Sequence, residues 1–515
     1  MGVCMSRRVI EVRVADVIAP VILPKVSPQL KKRDSDMNML VPGEVIVYDS
    51  DESRFEREKI MLVICTNVDS TKNSKIVLID VDYQSKGYGT VISELSLPTE
   101  NDELMNAGWM RSAGKITDIS VLNRTQLIVP CFSSSRIYII AVENQSSLRV
   151  SYCIESDQLL DKNVKNPFSV CSYPSRIGPS VISTLCDRRN RVKGDIISIN
   201  VEKGKLIRPD EHRHAVFGGF LAMQAKQKIA ITTELGDPLQ LLTAFLNQQN
   251  DTEKCLQENA YGHCLNVWDI EKIRFRQTIR LDDDAIGLNC IRFLHHPECN
   301  HAFACSIFGG SIYHIHKKST TEEYLADKVV QYPKAHVEGW IKPEMPPMPL
   351  DLIISMDDRF LFVSCFLHGF IEQFNISDPF RVTSCTKIFL GGAIQRSIGV
   401  KLQSINAVNF TPKRRFLRNQ EFDAGPARMQ LSLDGRRLYV TNSYYTPWDL
   451  LLFPNLKEKG SCIALIHVTV KSSGGMVLDE NFAIRFTNEN FENGPYLARE
   501  MKFMNGDSTS DSCFE

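Results

Sequence analysis

Apolar and polar positions alternate with period two along much of this chain, most clearly from Asp351 to Pro379, DLIISMDDRFLFVSCFLHGFIEQFNISDP. Leu361, Val363 and Cys365 mark one face of a strand. The apolar set resumes through Ile371, Phe374 and Ile376 after the turn-ready pair His368-Gly369, and Asp378-Pro379 stops it. The pattern predicts two antiparallel strands of one blade. The same plan returns from Leu431 to Ser443, where Asp434-Gly435-Arg436-Arg437-Leu438-Tyr439-Val440-Thr441 repeats the order of Asp357 to Ser364. Fainter copies lie at 74–82, 135–143, 193–206, 264–279, 310–318 and 460–470. Recurrence every roughly 40 to 80 residues, with no long helical period between, predicts an all-β propeller whose blades carry unequal loop insertions. A two-sheet sandwich holds fewer strand pairs than this chain offers.

The repeats begin near Gly43, which divides the chain into an N-terminal extension at 1–42, a propeller at 43–504 and a mobile polar tail at 505–515. The extension, with three prolines and a basic cluster within residues 7–36, is expected to pack outside the ring or to be disordered. Residues 95–114 read as a long rim loop, 156–190 as a linker, and 236–261 as a partly helical insertion with Leu and Phe at helical spacings.

Hydrophobic content of 43% and charged content of 23% fit an ordinary globular protein with a sizeable core. The formal net charge of -1 gives no reason to expect nucleic acid as a partner. Fifteen cysteines are scattered, odd in number and form no C-x-x-C pair, which favours reduced thiols in a cytoplasmic protein over a disulfide framework. No apolar run is long enough to span a membrane. The first residues, Met1-Gly2-Val3-Cys4-Met5-Ser6, do fit the N-myristoylation pattern, with Gly2 as acceptor, Cys4 open to a second acyl chain and Arg7-Arg8 for anionic lipid. That reading makes a membrane surface a partner only if the N-terminus is lipidated. Chance is the other reading, since the pattern fixes two residues beyond the initiator.

Several stretches together resemble the selenium-binding protein family, whose members include methanethiol oxidases. They are DDRFLFVSCFLHGFIEQFNISDP with FLGGAI after it, MQLSLDGRRLYVTNSYYTPWDLLLFP, YGHCLNVWDIEK, IRFLHHPEC, GWIKPEMP and ENGPYLAREMKF, in order from about Gly43 to the C-terminus. The resemblance implies a seven-bladed β-propeller and, for the oxidase members, a histidine-rich copper site that converts methanethiol to formaldehyde, hydrogen peroxide and hydrogen sulfide. Imidazole suits copper as a borderline-soft neutral donor.

Carried over residue by residue, that site is altered. The family's His-His-Ser-Gly-Trp stands here as Met105-Asn106-Ala107-Gly108-Trp109, and its Ala-His-Glu as Ala498-Arg499-Glu500. Tyr-Gly-Ser-His becomes Tyr261-Gly262-His263-Cys264, the imidazole displaced by one position and so onto the other face of a strand. The tyrosine-cysteine linked with selenium falls at Tyr88-Gly89, leaving no thiol at Gly89. His295, His368 and Glu234 persist at their motifs. A copper site needs about three or four donors. The candidate ligands are therefore His295 and His368, with His263, Cys264 and Met105 as a softer set. The alternative for His295 and His368 is buried imidazoles tying turns to backbone carbonyls.

His314-x-His316 shares one strand face and is either a metal pair or two surface histidines on an outer strand. Asp357, Asp358 and Asp378 are expected to cap turns. No hydrolase, zincin or phosphate-loop motif occurs. These readings favour a member of the family that has lost most of the copper and thiol-oxidase site and acts as a binding or interaction protein. Small thiols, selenium species or proteins would be its partners, with copper doubtful and selenium possible as bound species. Two alternatives stay open: a methanethiol oxidase with an altered metal site, and a lipid-anchored membrane adaptor.

Overall fold

β-Branched and aromatic runs of five to eight residues, each ended by a polar turn, give this chain its strands, and the turns are built by a repeated side-chain device. In the turn before Phe360, Ser355 Oγ donates to Asp357 Oδ1 (2.6 Å) and accepts from the Phe360 amide (3.0 Å), while Asp357 Oδ1 also caps the Arg359 amide. Ser432, Asp434, Arg436 and Arg437 reproduce that geometry. Asp358 and Gly435 occupy the same left-handed position, at φ 56° and 70°. The repeated sequence is thus a repeated turn.

The computed structural model describes residues 57–110, 124–143, 146–172, 180–200, 205–208, 215–237, 240, 260–394, 399–406 and 412–510. Among them, seven antiparallel sheets of four strands form the blades of a β-propeller, the seventh with one extra two-residue strand. Inner strands are Tyr496–Phe503, Gly108–Trp109, Lys165–Cys171, Leu221–Gln224, Leu288–Phe293, Pro349–Ile354 and Met429–Leu431, for blades 1 to 7. In blades 2 to 7 the chain runs from inner to outer strand in sequence order. Blade 1 differs: its inner strand is the C-terminal Tyr496–Phe503, paired antiparallel with Ile60–Asn67, so the two ends of the ring share one sheet.

Middle strands such as Phe360–Cys365 are buried on both faces because a blade is sandwiched between its neighbours. Outer strands such as Arg274–Arg280 alternate between exposed and partly buried. Inner strands are joined around the ring by side-chain to backbone hydrogen bonds. The Ala107 amide donates to Glu500 Oε2, Asn106 Nδ2 to the Phe168 carbonyl and Cys171 Sγ to Leu221. The circuit continues with Gln224 Nε2 to Leu294, Asn289 Nδ2 to Leu350, the Met429 amide to Asp351 Oδ2, and Gln430 Nε2 to Met501.

Three sequence expectations are corrected. Residues 505–510 are not a mobile tail: Asp507 is fully buried, accepts from the Phe503, Thr509 and Ser510 amides, and bridges to Ser432. Polarity misled because the residues are used as hydrogen-bonding groups inside a crevice. The stretch read as a linker supplies the strands Lys165–Cys171 and Ser180–Cys186 of blade 3, and the stretch read as a rim loop holds the second half of the outer strand Val91–Glu100 of blade 1 and the inner strand Gly108–Trp109 of blade 2. The N-terminal extension with Gly2 and Cys4, most of the 236–261 insertion, and 511–515 lie outside the described residues. No described helix is long and apolar enough to cross a membrane.

Blade 7 grips the start of blade 1 through a buried fork, Arg437 Nε and Nη2 to the two Glu58 oxygens at 2.6 and 2.9 Å, with the Tyr439 hydroxyl donating to the same carboxylate at 2.9 Å. Glu58→Gln leaves the guanidinium short of its charge partner in a buried site. It is expected to lower unfolding free energy by about 3 kcal/mol or more, read from urea melts. An unchanged midpoint would show that the fork contributes nothing to ring closure.

Candidate functional site

The seven inner strands surround a central shaft with two mouths, one where these strands begin and one where they end. Period-two alternation would send successive inner-strand side chains to the two neighbouring blades in turn. Bulges interrupt it in four blades: Arg499 and Glu500 oppose Ile64 alone, Phe168 and Ser169 oppose Ser183, Asn289 and Cys290 oppose Cys305, and one extra residue separates Pro349 from Asp351. Each bulge re-aims a side chain that a regular strand would hide.

At the first mouth the segment Met105–Trp109 enters beside blade 2. Met105 packs with Phe132, Phe168, Leu235, Tyr445 and Trp448 in an aromatic plug. Beneath it Asn106 Oδ1 accepts from Arg428 Nη2 at 3.1 Å, and the Arg428 guanidinium lies over the rings of Phe220 and Tyr444 at 4.6 and 4.9 Å. Arg499 is fully buried. Its Nη1 donates to Asp449 Oδ2 and Ser443 Oγ, and its Nη2 to Glu103 Oε1 (2.9 Å) and Thr446 Oγ1 (2.8 Å). Burial opposes the Arg499 charge, but Asp449 and Glu103 more than offset it and hold the guanidinium protonated. Burial also pushes the Asp449 carboxyl up, with Arg499 drawing it back only in part.

The predicted site residues are dispersed. His295 sits at the second mouth, its Nδ1 2.9 Å from Asp358 Oδ1 and its Nε2 2.7 Å from the Ser508 carbonyl. His368 is wholly buried between blades; Nε2–H donates to the Met345 carbonyl at 3.1 Å and Nδ1 has no partner among the described residues. Burial lowers its pKa to about 4. His263 is half-buried, its Nδ1 likewise without a partner, and burial lowers its pKa. Cys264 follows it beside Glu234, and burial, aided by that carboxylate, raises the thiol to about 12. Glu234 itself accepts from Asn266 Nδ2 and the Val216 amide. Gly89 lies in a turn at φ 80° near Arg418. Among the described residues, no three His, Cys, Asp or Glu side chains form a group that could hold a metal ion.

His314 and His316 are not a surface pair. His314 is fully buried, stacked between His301 and His316 at ring separations of 5.0 and 5.2 Å, and its Nε2 lies 2.8 Å from His301 Nδ1. His316 turns its Nε2 to Asp327. Phe380 closes edge-on over all three rings, and this packing explains their burial.

Sequence reasoning missed Glu103, Asp449, Arg428, Arg292 and Lys502. A usable signal did exist: YLAREMKF places three charges inside a strand that is otherwise apolar, a pattern that only a polar interior accommodates.

The model of the 56 kDa selenium-binding protein family (SBP56) matches residues 48–514. A "Putative selenium-binding protein" of Caenorhabditis elegans is 36% identical over 518 aligned positions, covering 99% of this chain and 93% of the relative. A methanethiol oxidase of Xenopus laevis is 35% identical, covering 90% and 96%, and that of Homo sapiens is 33% identical, covering 88% and 95%. The X-ray structure of a hypothetical selenium-binding protein from Sulfolobus tokodaii superimposes with TM-score 0.75 at 24% identity, over 90% of this chain and 97% of that one.

Because folding depresses the His368 pKa from 6.5 to about 4, the unfolded chain takes up a proton between those values and the folded chain does not. The stability this neutral imidazole allows is present above pH 6.5 and lost as pH falls toward 4, by up to about 3 kcal/mol. His368→Gln, which keeps a donor for Met345, is expected to flatten that acid limb in urea melts at pH 7, 5.5 and 4.5. Parallel wild-type and variant curves would sink the assignment.

Proposed function

Since the chain belongs to the 56 kDa selenium-binding protein family, we propose that it is a propeller of that family that works by binding, and that it does not carry out copper-dependent thiol oxidation. The observation that supports this is Arg499. It stands where the resemblance puts a histidine ligand, and a guanidinium cannot donate a lone pair to a cation. Its two buried carboxylate partners, Asp449 and Glu103, are satisfied by it. Met105 is embedded among aromatic rings and Asn106 spends its amide on Phe168 and Arg428. Cys264 is held as a thiol by burial next to Glu234, whereas a soft metal site requires the thiolate. His295 and His368 each already have a backbone carbonyl as partner. This donor set does not fit copper.

A binding role assigns the shaft and its mouths to a small ligand, or the rim to a protein partner, in place of turnover. Small thiols and selenium species belong on the list of ligands to test because of the family. They would meet protonated thiols here, for burial raises Cys131 and Cys290 as well.

The test is to incubate the purified full-length protein with copper, dialyse, measure retained metal, and follow hydrogen peroxide and hydrogen sulfide after adding methanethiol. The Xenopus laevis methanethiol oxidase serves as the active comparison. Retention well below one copper per chain and no product above the protein-free rate are expected. Stoichiometric copper with turnover would overturn the reading and restore the altered-oxidase alternative.

A further inference from the structure

The second mouth holds a cavity of about 130 Å³, room for several waters or one small molecule. Its lining includes Arg292, His295, Glu500, Lys502, Ser508 and Ser510. Arg292 Nε donates to the Leu352 carbonyl at 3.1 Å, and its nearest carboxylate oxygen, on Asp351, is 3.7 Å away. Asp351 has already committed its oxygens to the Leu352 and Met429 amides and the Cys290 thiol. The forked end of Arg292 thus has only a long ion pair, 3.7 Å to Asp351, and no charged hydrogen-bond partner among the described residues, and with 20% of its side chain exposed it lines the cavity.

Lys502 Nζ binds Glu500 Oε1 at 2.8 Å and Thr509 Oγ1 at 2.7 Å, which leaves one of its three protons free. Ser508 Oγ and Ser510 Oγ are buried with no hydrogen-bond partner among the described residues, on residues only 6% and 8% exposed. An unmet buried hydroxyl is costly. These two sit on a fixed turn, since Asp507 caps the Thr509 and Ser510 amides and the Ser508 carbonyl meets His295. The lining thus brings together two cations against one carboxylate, and two hydroxyl donors awaiting an acceptor.

We propose that the second mouth is a binding site for a small oxyanion, held in the fork of Arg292 and by Lys502 and the hydroxyls of Ser508 and Ser510. A planar carboxylate or a tetrahedral sulfonate, sulfate or phosphate each offers the two adjacent oxygens that a guanidinium fork accepts. None of these four residues is among the hydrogen-bond partners of Arg499, and the site stands whether or not the first mouth does chemistry.

Isothermal titration of the full-length chain in Tris chloride buffer with acetate, methanesulfonate, sulfate and phosphate, with acetamide as the neutral isostere, tests the proposal. Saturable binding of at least one anion at one site per chain is expected, with none for acetamide. Arg292→Gln is expected to weaken it ~10- to 100-fold, the range for a charge-assisted hydrogen bond. The double variant S508A/S510A, which removes hydroxyls that hold nothing in the fold, is expected to weaken it several-fold at unchanged melting temperature, and it carries the test if Arg292→Gln does not fold. Absence of binding by all four anions, or equal affinity in wild type and the double variant, would mean that the hydroxyls are satisfied by water and would overturn the site.

Discussion

The antiparallel pairing of Tyr496–Phe503 with Ile60–Asn67 is the constraint on which the rest of this molecule depends. Without it blade 1 has no inner strand and the ring keeps two open sheet edges, the arrangement that closed propellers avoid. The pairing also delivers chemistry. The bulge opposite Ile64 turns Arg499 toward the first mouth and Glu500 toward the Ala107 amide, and Lys502 follows at the second mouth. Closing the ring and furnishing the shaft are one structural event.

Most charges inside the shaft are paired at short range, and the loosest pairing is at Asp351. Arg499 lies between Asp449 and Glu103, Lys502 pairs with Glu500, and Asp351 lies 3.7 and 3.9 Å from Arg292 and Arg428. A buried carboxylate pair can be made tolerable by a metal ion or by a fixed organic cation, and in either case the requirement is positive charge at short range in a medium of low dielectric. In the proposed reading the arginine takes the second course. It gives structural rigidity, tying the helix Thr446–Leu452 to blade 1, and no open coordination position.

The architecture was legible because a blade's middle strands must be apolar on both faces and its turns must be polar, so strand, turn and repeat all appear in one dimension. The Asp357 and Asp434 turns show this most directly. Strands that break the rule were misread: Lys165–Cys171 carries Lys165, Asn166 and Pro167 in its first half, and Val91–Glu100 is an outer strand with mostly exposed or half-exposed side chains. The shaft was harder still. The fates of Asn106, Arg499 and Asp449 are set by contacts between residues hundreds of positions apart, and bulges erase the alternation that would have shown which side chains face inward. That other residues stand at the family's histidine positions is what the resemblance implies; what surrounds Arg499 and Asn106 was legible only in the structure.

The location of the closing strand has a consequence for how the protein is made. A ribosome delivers Ile60–Asn67 long before Tyr496–Phe503, so through that interval the nascent first blade presents a bare apolar edge, Met61 to Cys65, to its surroundings or to other emerging chains. Six finished blades cannot shield that edge, since each is already saturated by its own four strands. The vulnerable interval in the life of this molecule is therefore its synthesis, and it ends only when Tyr496–Phe503 clears the exit tunnel and finds Ile60–Asn67.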